Sequence, residues 1–203
     1  NIADFSQTFD ISADGQVIIV KANLISTDST TQKRIVVYRE ADDKYQVSQI
    51  IESPNDTTSW GENISLTPKG DKFAISASLN DQNGIDSGIV YVYKQVNGIF
   101  VLDQTITSPQ NEIAEQFGYA LDFGDNNLVI SSLNGDQKIP TTFDSQETTF
   151  DNNFTEFRNI KLDKGVVYVY ENREAGALYS EQIIYPSVQA TFGENLYTFG
   201  NHI

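Results

Sequence analysis

The sequence predicts an all-β chain made of repeated four-stranded antiparallel sheets. Three observations predict it. Landmarks recur at a fixed offset: Phe5 and Trp60, Gly15 and Gly70, Tyr38 and Tyr93, and Pro54 and Pro109 each lie 55 positions apart. Apolar residues come in short runs bounded by turn residues, with no sustained helical period. The runs from Ile35 to Tyr38, Ile89 to Tyr93 and Val166 to Tyr170 are apolar or aromatic at every position rather than at alternate ones. A strand with one wet face alternates, so these strands are covered on both faces. Four-stranded sheets buried on both sides and repeated every 40 to 60 residues or so stack face to face as the blades of a β-propeller. A β-solenoid is the other way to stack sheets, but its repeats are shorter.

The first unit spans 5–59 and the second 60–116. The third spans 117–191 and carries an inserted loop at 134–164, because Phe117-Gly118 follows Trp60-Gly61 by 57 positions whereas Tyr170 follows Tyr93 by 77. Phe192-Gly193 opens the first strand of a fourth unit, 192–203. In the middle unit the strands are expected at 63–67, 72–78, 88–94 and 100–107, with Gly70, like Gly15, in a hairpin turn that needs positive φ. Three units and a fraction form an arc, and the sequence begins without Met and stops inside a repeat, so a segment of a longer polypeptide is expected. An exposed end face of roughly 500 Å² would forfeit about 12 kcal/mol at 25 cal/mol per Å². That rivals the whole stability of a domain, about 5 to 15 kcal/mol. Flanking blades or other protein subunits are therefore expected to cover the ends.

Charge excludes one class of partner. With 13 Lys and Arg against 28 Asp and Glu, a net charge of −15, the chain lacks the clustered cations that phosphate binding needs, so nucleic acid is not expected. There is no cysteine, hence no disulfide, thiolate metal site or cysteine nucleophile. No apolar run approaches the length of a membrane span.

Three stretches, Phe117-Gly118-Tyr119-Ala120-Leu121, Leu128-Val129-Ile130-Ser131 and Gly165-Val166-Val167-Tyr168-Val169-Tyr170, together resemble the FG-GAP repeat, which builds the propeller of integrin α subunits and of many bacterial surface and secreted proteins. The second and third units match well. The first departs, with Phe5-Ser6 for Phe-Gly and Arg34 before the Ile35–Tyr38 run where glycine is expected. The resemblance implies a non-enzymatic interaction module that is extracellular, at the cell surface or in a virion. In the inserted loop, Thr142-Phe143-Asp144 and Thr149-Phe150-Asp151 recur seven positions apart, a looser likeness to repeat-rich structural proteins of marine bacteriophages.

Candidate chemistry is sparse. Many relatives of that repeat hold calcium in an acidic loop between strands one and two, but Ala13-Asp14-Gly15, Lys69-Gly70-Asp71 and Gly124-Asp125-Asn126 lack the acidic triplet. A fragment of a calcium loop lies instead between strands two and three, where Asp81, Asn83 and Asp86 place oxygens around Gly84; an Asn-Gly turn explains the same residues. The lone histidine, His202, gives no basis for a Ser-His-Asp or a histidine-zinc site. Ser12-Ala13-Asp14-Gly15 matches part of a sialidase Asp-box without the aromatic that should follow. Trp60 and the pairs Tyr91/Tyr93 and Tyr168/Tyr170 are expected to pack between blades, hydroxyls toward the sheet margin, rather than stack on sugars. Asn55, Asn63 and Asn153 head glycosylation sequons, which matter only in a glycosylating host.

The expected function is a non-enzymatic structural or adhesive module, contacting other proteins, a cell-surface receptor or a glycan through the loops 79–87 and 134–164, with no resident cofactor. A calcium-dependent adhesion module and a glycan-processing propeller enzyme are the alternative readings.

Overall fold

The computed structural model describes residues 2–25, 31–54, 59–110, 112–135, 165–171 and 179–184. Among them are twelve strands and no helix, and the strands form three four-stranded antiparallel sheets, each a simple meander. The first sheet comprises β1 (Ile2–Ile11), β2 (Val17–Ile25), β3 (Thr31–Ala41) and β4 (Lys44–Glu52). The second comprises β5 (Ile64–Leu66), β6 (Lys72–Ala77), β7 (Ile89–Val96) and β8 (Ile99–Ile106). The third comprises β9 (Phe117–Phe123), β10 (Asn127–Ser132), β11 (Val166–Glu171) and β12 (Tyr179–Ile184). All four strands expected in the middle unit are present, their ends displaced by at most three residues. The start of the fourth unit, His202 and most of the inserted loop lie outside the described residues.

The all-apolar third strands follow from burial on two sides. Phe73, Ile75, Ile89, Tyr91 and Tyr93 of the second sheet share one core with Val17, Ile19, Ile35 and Val37 of the first. Their sequence neighbours Ala74, Val90 and Val92 share another with Phe117, Leu128, Ile130 and Tyr168 of the third. Because side chains alternate along a strand, both sets on β7 must be apolar. Aromatic rings pack within each sheet: in the second, Phe73 stacks on Tyr93 with ring centroids 4.8 Å apart and meets Phe100 edge-on, and in the third Phe117 meets Tyr168 edge-on at 5.4 Å. Trp60 is fully buried in the first core and its indole N–H has no hydrogen-bond partner, which fits packing rather than recognition.

Turn chemistry repeats with the sheets. In the first hairpin the Ser12 hydroxyl accepts the Val17 amide at 3.0 Å, and in the second the Thr67 hydroxyl accepts the Lys72 amide at 3.1 Å. Gly15 and Gly70 follow with φ of 74° and 69°, a region open to glycine at little cost. A register shift recurs where the fourth strand passes Val37/Tyr38, Val92/Tyr93 and Val169/Tyr170. Such a bulge in an outer edge strand breaks the row of unpaired backbone groups that would otherwise recruit another chain.

The first strands lie side by side, β5 touching both β1 and β9. One side-chain oxygen per unit crosses each boundary at the same repeat position. Asp10 accepts the Leu66 amide at 2.7 Å, and Ser65 accepts the Phe123 amide at 2.9 Å. Two residues earlier, the Thr8 hydroxyl donates to the Glu62 carbonyl at 3.3 Å and the Asn63 amide nitrogen donates to the Tyr119 carbonyl at 2.7 Å. The sequon asparagine Asn63 is thus an inter-sheet clamp.

Gly88 shows why the repeat keeps glycine before strand three. Its φ is 82° and it bridges Phe117 in parallel, so a Cβ there would lie 2.2 Å from the Phe117 carbonyl oxygen. In the first sheet the ladder simply continues: Lys33, 55 positions before Gly88, pairs with Asn23, the next residue Arg34 pairs with Ala22, and the Arg34 guanidinium meets Glu52 at 2.9 Å. Among the described residues no backbone bridge crosses to the second sheet there, so long side chains are accommodated. Gly88→Ala is expected to cost at least about 3 kcal/mol of stability, against about 1 kcal/mol for Gly98→Ala, whose φ is 83° but whose Cβ would meet nothing within 4 Å. Urea denaturation of both variants checks this; equal losses would remove the clash as the cause.

Candidate functional site

The rim between the second and third sheets gathers the polar side chains that the sequence marked and several that it did not. Here β6 leads into the loop 78–88, and the chain enters β9 through 112–116. The loop closes on itself first. Asn80 accepts the Gln82 amide through its side chain at 2.9 Å and the Gly88 amide through its carbonyl at 3.1 Å. Asp81 accepts the Asp86 amide through its carboxylate at 2.8 Å, and Asp86 takes a left-handed φ of 51° to present that amide.

The loop then fastens to the third sheet. The carbonyls of Ile85, Asp86 and Ser87 accept the amides of Ala114, Gln116 and Phe117 at 2.7, 2.9 and 3.1 Å. Much of the backbone of the stretch expected to recognise a partner is therefore spent in holding two sheets together. Asp81, Asn83 and Asp86 do share this loop, with Asp81 and Asn83 exposed and Asp86 half-buried. The Asp81 carboxylate is engaged in the loop's own closure. Among the described residues no group of three or more His, Cys, Asp and Glu side chains is gathered as a metal centre.

Beside the loop is a cleft of about 380 Å³ lined by Glu62, Asn63, Ser78, Leu79, Gln116 and Tyr119. Glu62 accepts both the backbone amide and the hydroxyl of Ser78. The Lys21 side chain lies against Gly61, where a Cβ would come within 3.1 Å of it. Burial lowers the Lys21 pKa, Lys33 lowers it further and Glu62 raises it. Leu79 and Tyr119 are exposed. The cleft wall thus combines a carboxylate and an amide that are already bonded, to Ser78 and to the Tyr119 carbonyl, with the apolar edge of Leu79 and Tyr119.

Behind the cleft sits a buried carboxylate that sequence reasoning missed. Glu115 is fully buried and accepts hydrogen bonds from the hydroxyls of Ser108, Ser132 and Tyr168 at 2.5, 2.9 and 2.8 Å and from the Glu112 amide at 3.3 Å. Ser108 follows β8, Ser132 ends β10 and Tyr168 lies in β11, so one side chain ties the two sheets. The Tyr168 hydroxyl was expected at the sheet margin; it turns into this buried hub instead because the carboxylate is there to accept it. Burial pushes the Tyr168 phenol far above its ordinary range, opposed by the Ser108 bond and reinforced by Glu115. The signal that existed was weak: glutamate two residues before Phe117-Gly118 has no counterpart at Thr58, so the repeat does not reveal it.

No protein-family model matches the chain, and no curated protein matches its sequence.

Three substitutions at two positions separate these roles. Asp81→Ala is expected to cost about 1.5 kcal/mol with or without calcium, the lower end for one hydrogen bond to a charged acceptor; thermal melts in calcium and in chelator check it. Glu115→Ala is expected to cost about 3 kcal/mol or more, since buried hydroxyls lose their acceptor, and Glu115→Gln about 1 kcal/mol, since its carbonyl still accepts. Equal losses in the two variants would mean that the hub acts by packing alone.

Proposed function

We propose that this chain is a segment of an FG-GAP-like β-propeller and serves as a non-enzymatic structural and interaction module of a larger extracellular or virion protein. The observation that carries the reading is the repeated side-chain link from strand one to strand one, Asp10 to Leu66 and Ser65 to Phe123. It sets successive four-stranded sheets in one register with their first strands adjacent and their fourth strands outermost, which is how blades radiate from an axis. The motif residues support it from a second side, since Gly88 and the Phe117-Gly118 pair meet across a boundary. Partners are flanking blades or other subunits at the ends and, at the rim, a polar group seated in the cleft beside Glu62 and Tyr119.

Among the described residues no helix is long and apolar enough to cross a membrane. The intact mass of the native polypeptide, measured under denaturing conditions from its natural source, tests the reading. A mass well above 22.6 kDa, with further copies of the repeat in the added sequence, is expected. Added sequence without such repeats would sink the propeller.

A further inference from the structure

Three Asn-Gly pairs occur in the sequence, Asn83-Gly84, Asn97-Gly98 and Asn134-Gly135. Asparagine before glycine is chemically fragile, because the glycine amide nitrogen attacks the asparagine side-chain carbonyl carbon with no Cβ in its way. All three pairs share that chemistry. The fold treats them differently.

In the pair at 134 and 135, Asn134 is half-buried and Gly135 buried. The Asn134 side-chain amide donates to the Ala114 carbonyl at 2.9 Å, its backbone amide donates to the Glu115 carbonyl at 3.2 Å, and Val166 packs on Gly135. In the pair at 83 and 84 the asparagine is exposed, but the Gly84 amide, which would be the nucleophile, donates to the Asp81 carbonyl at 3.2 Å. Asn97 and Gly98 are both exposed at the tip of the β7–β8 hairpin. Their φ values of 51° and 83° are those of a two-residue type I′ turn, closed by the Val96–Ile99 pair that ends the ladder. Among the described residues the Gly98 amide donates no hydrogen bond, and a Cβ on Gly98 would meet nothing within 4 Å. The end of a ladder frays at little cost, so this nitrogen is free to reach the side chain beside it.

We propose that Asn97-Gly98 is a site of spontaneous covalent modification, the pair of the three that reacts first in the folded chain. The Gly98 nitrogen gives its proton to base and bonds to the Asn97 side-chain carbonyl carbon. The bond from that carbon to the side-chain nitrogen breaks, and ammonia leaves with a proton from solvent. Water then opens the five-membered imide at either carbonyl, giving aspartate or isoaspartate, with nothing oxidised or reduced. Each product adds a carboxylate to a chain whose net charge is already −15. Aspartate before glycine still suits the type I′ turn. Isoaspartate puts one more carbon into the backbone, so the two-residue turn is lost. The change falls where the first sheet reaches the second: the Arg39 guanidinium donates to the Gly98 carbonyl at 3.4 Å and lies 5.5 Å from the centre of the Phe100 ring.

Incubation in mildly alkaline buffer, followed by proteolytic peptide mapping with mass spectrometry, tests this in the folded chain and in urea. In urea the three pairs are expected to convert at similar rates. In the folded chain Asn97 is expected to convert about fivefold faster than Asn83 and about thirtyfold faster than Asn134, for the one and the two hydrogen bonds that those pairs must first open. Isoaspartate is expected beside aspartate in the product. Gly98→Ala, whose Cβ obstructs the attack, is expected to slow conversion at Asn97 and to leave the other two pairs unchanged. Asn83 or Asn134 keeping pace with Asn97 in the folded chain, or Asn97 converting only in urea, would overturn the proposal. So would aspartate as the sole product, or an unchanged rate in Gly98→Ala, since the cyclic route is then not taken.

Discussion

Where Gly88 meets Phe117, two backbones pass closer than any side chain allows, and the arrangement of the second sheet on the third depends on that contact. The parallel bridge fixes the height of one sheet on the next. It brings Gly118 down onto Ser76 and Val90, where a Cβ would come within about 3 Å of each. With the sheets this close at one end, the side chains between them must be small on one face and large on the other. Valine and alanine therefore face phenylalanine and tyrosine. Close packing does the rest, since interiors of this density tolerate few voids.

The strand pattern was legible because it expresses this two-sided burial directly. Ile89 to Tyr93 reads as a continuous apolar run, and alternate members of it enter two different cores. The turn glycines at 15 and 70 were legible for a separate reason: positive φ restricts the residue choice at one position and leaves a mark that recurs. Glu115 was not legible. Its partners Ser108, Ser132 and Tyr168 are brought together only when the second and third sheets pack, and a glutamate in an acidic chain carries no local sign of burial. The loop 79–87 misled in the opposite direction. Its Asn, Asp and Gly content suits either a solvated recognition loop or a turn closed by its own side chains, and Asp81 and Asn80 close it.

That closure divides the rim by function. Carbonyls at 85, 86 and 87 hold the third sheet, so that part of the loop's backbone is not available to a partner. What stays outward is side-chain surface: Leu79 and Ile85 on the loop, Tyr119 across the cleft, and Glu62 in the cleft wall. Side chains of that kind change without disturbing the ladder beneath them. A rim built this way lets its outward side chains vary while the stacking geometry stays fixed.

The links between first strands extend the same logic. At the shared position, Asp10 and Ser65 do one job with different chemistry, because either a carboxylate or a hydroxyl oxygen accepts a backbone amide at under 3 Å. Two residues earlier, Thr8 and Asn63 both donate, although Ala120 at that position in the third unit has nothing to give. Geometry therefore constrains the kind of group at a few positions and the identity of a residue only where two backbones cross. The first unit, with Ser6 for the glycine and Arg34 ahead of its third strand, still forms the same four-stranded meander. Gly61 lies against Lys21 and Gly118 against Ser76 and Val90 of the sheet before it, whereas Ser6 has no preceding sheet among the described residues to approach, so the first unit is free to depart at that position.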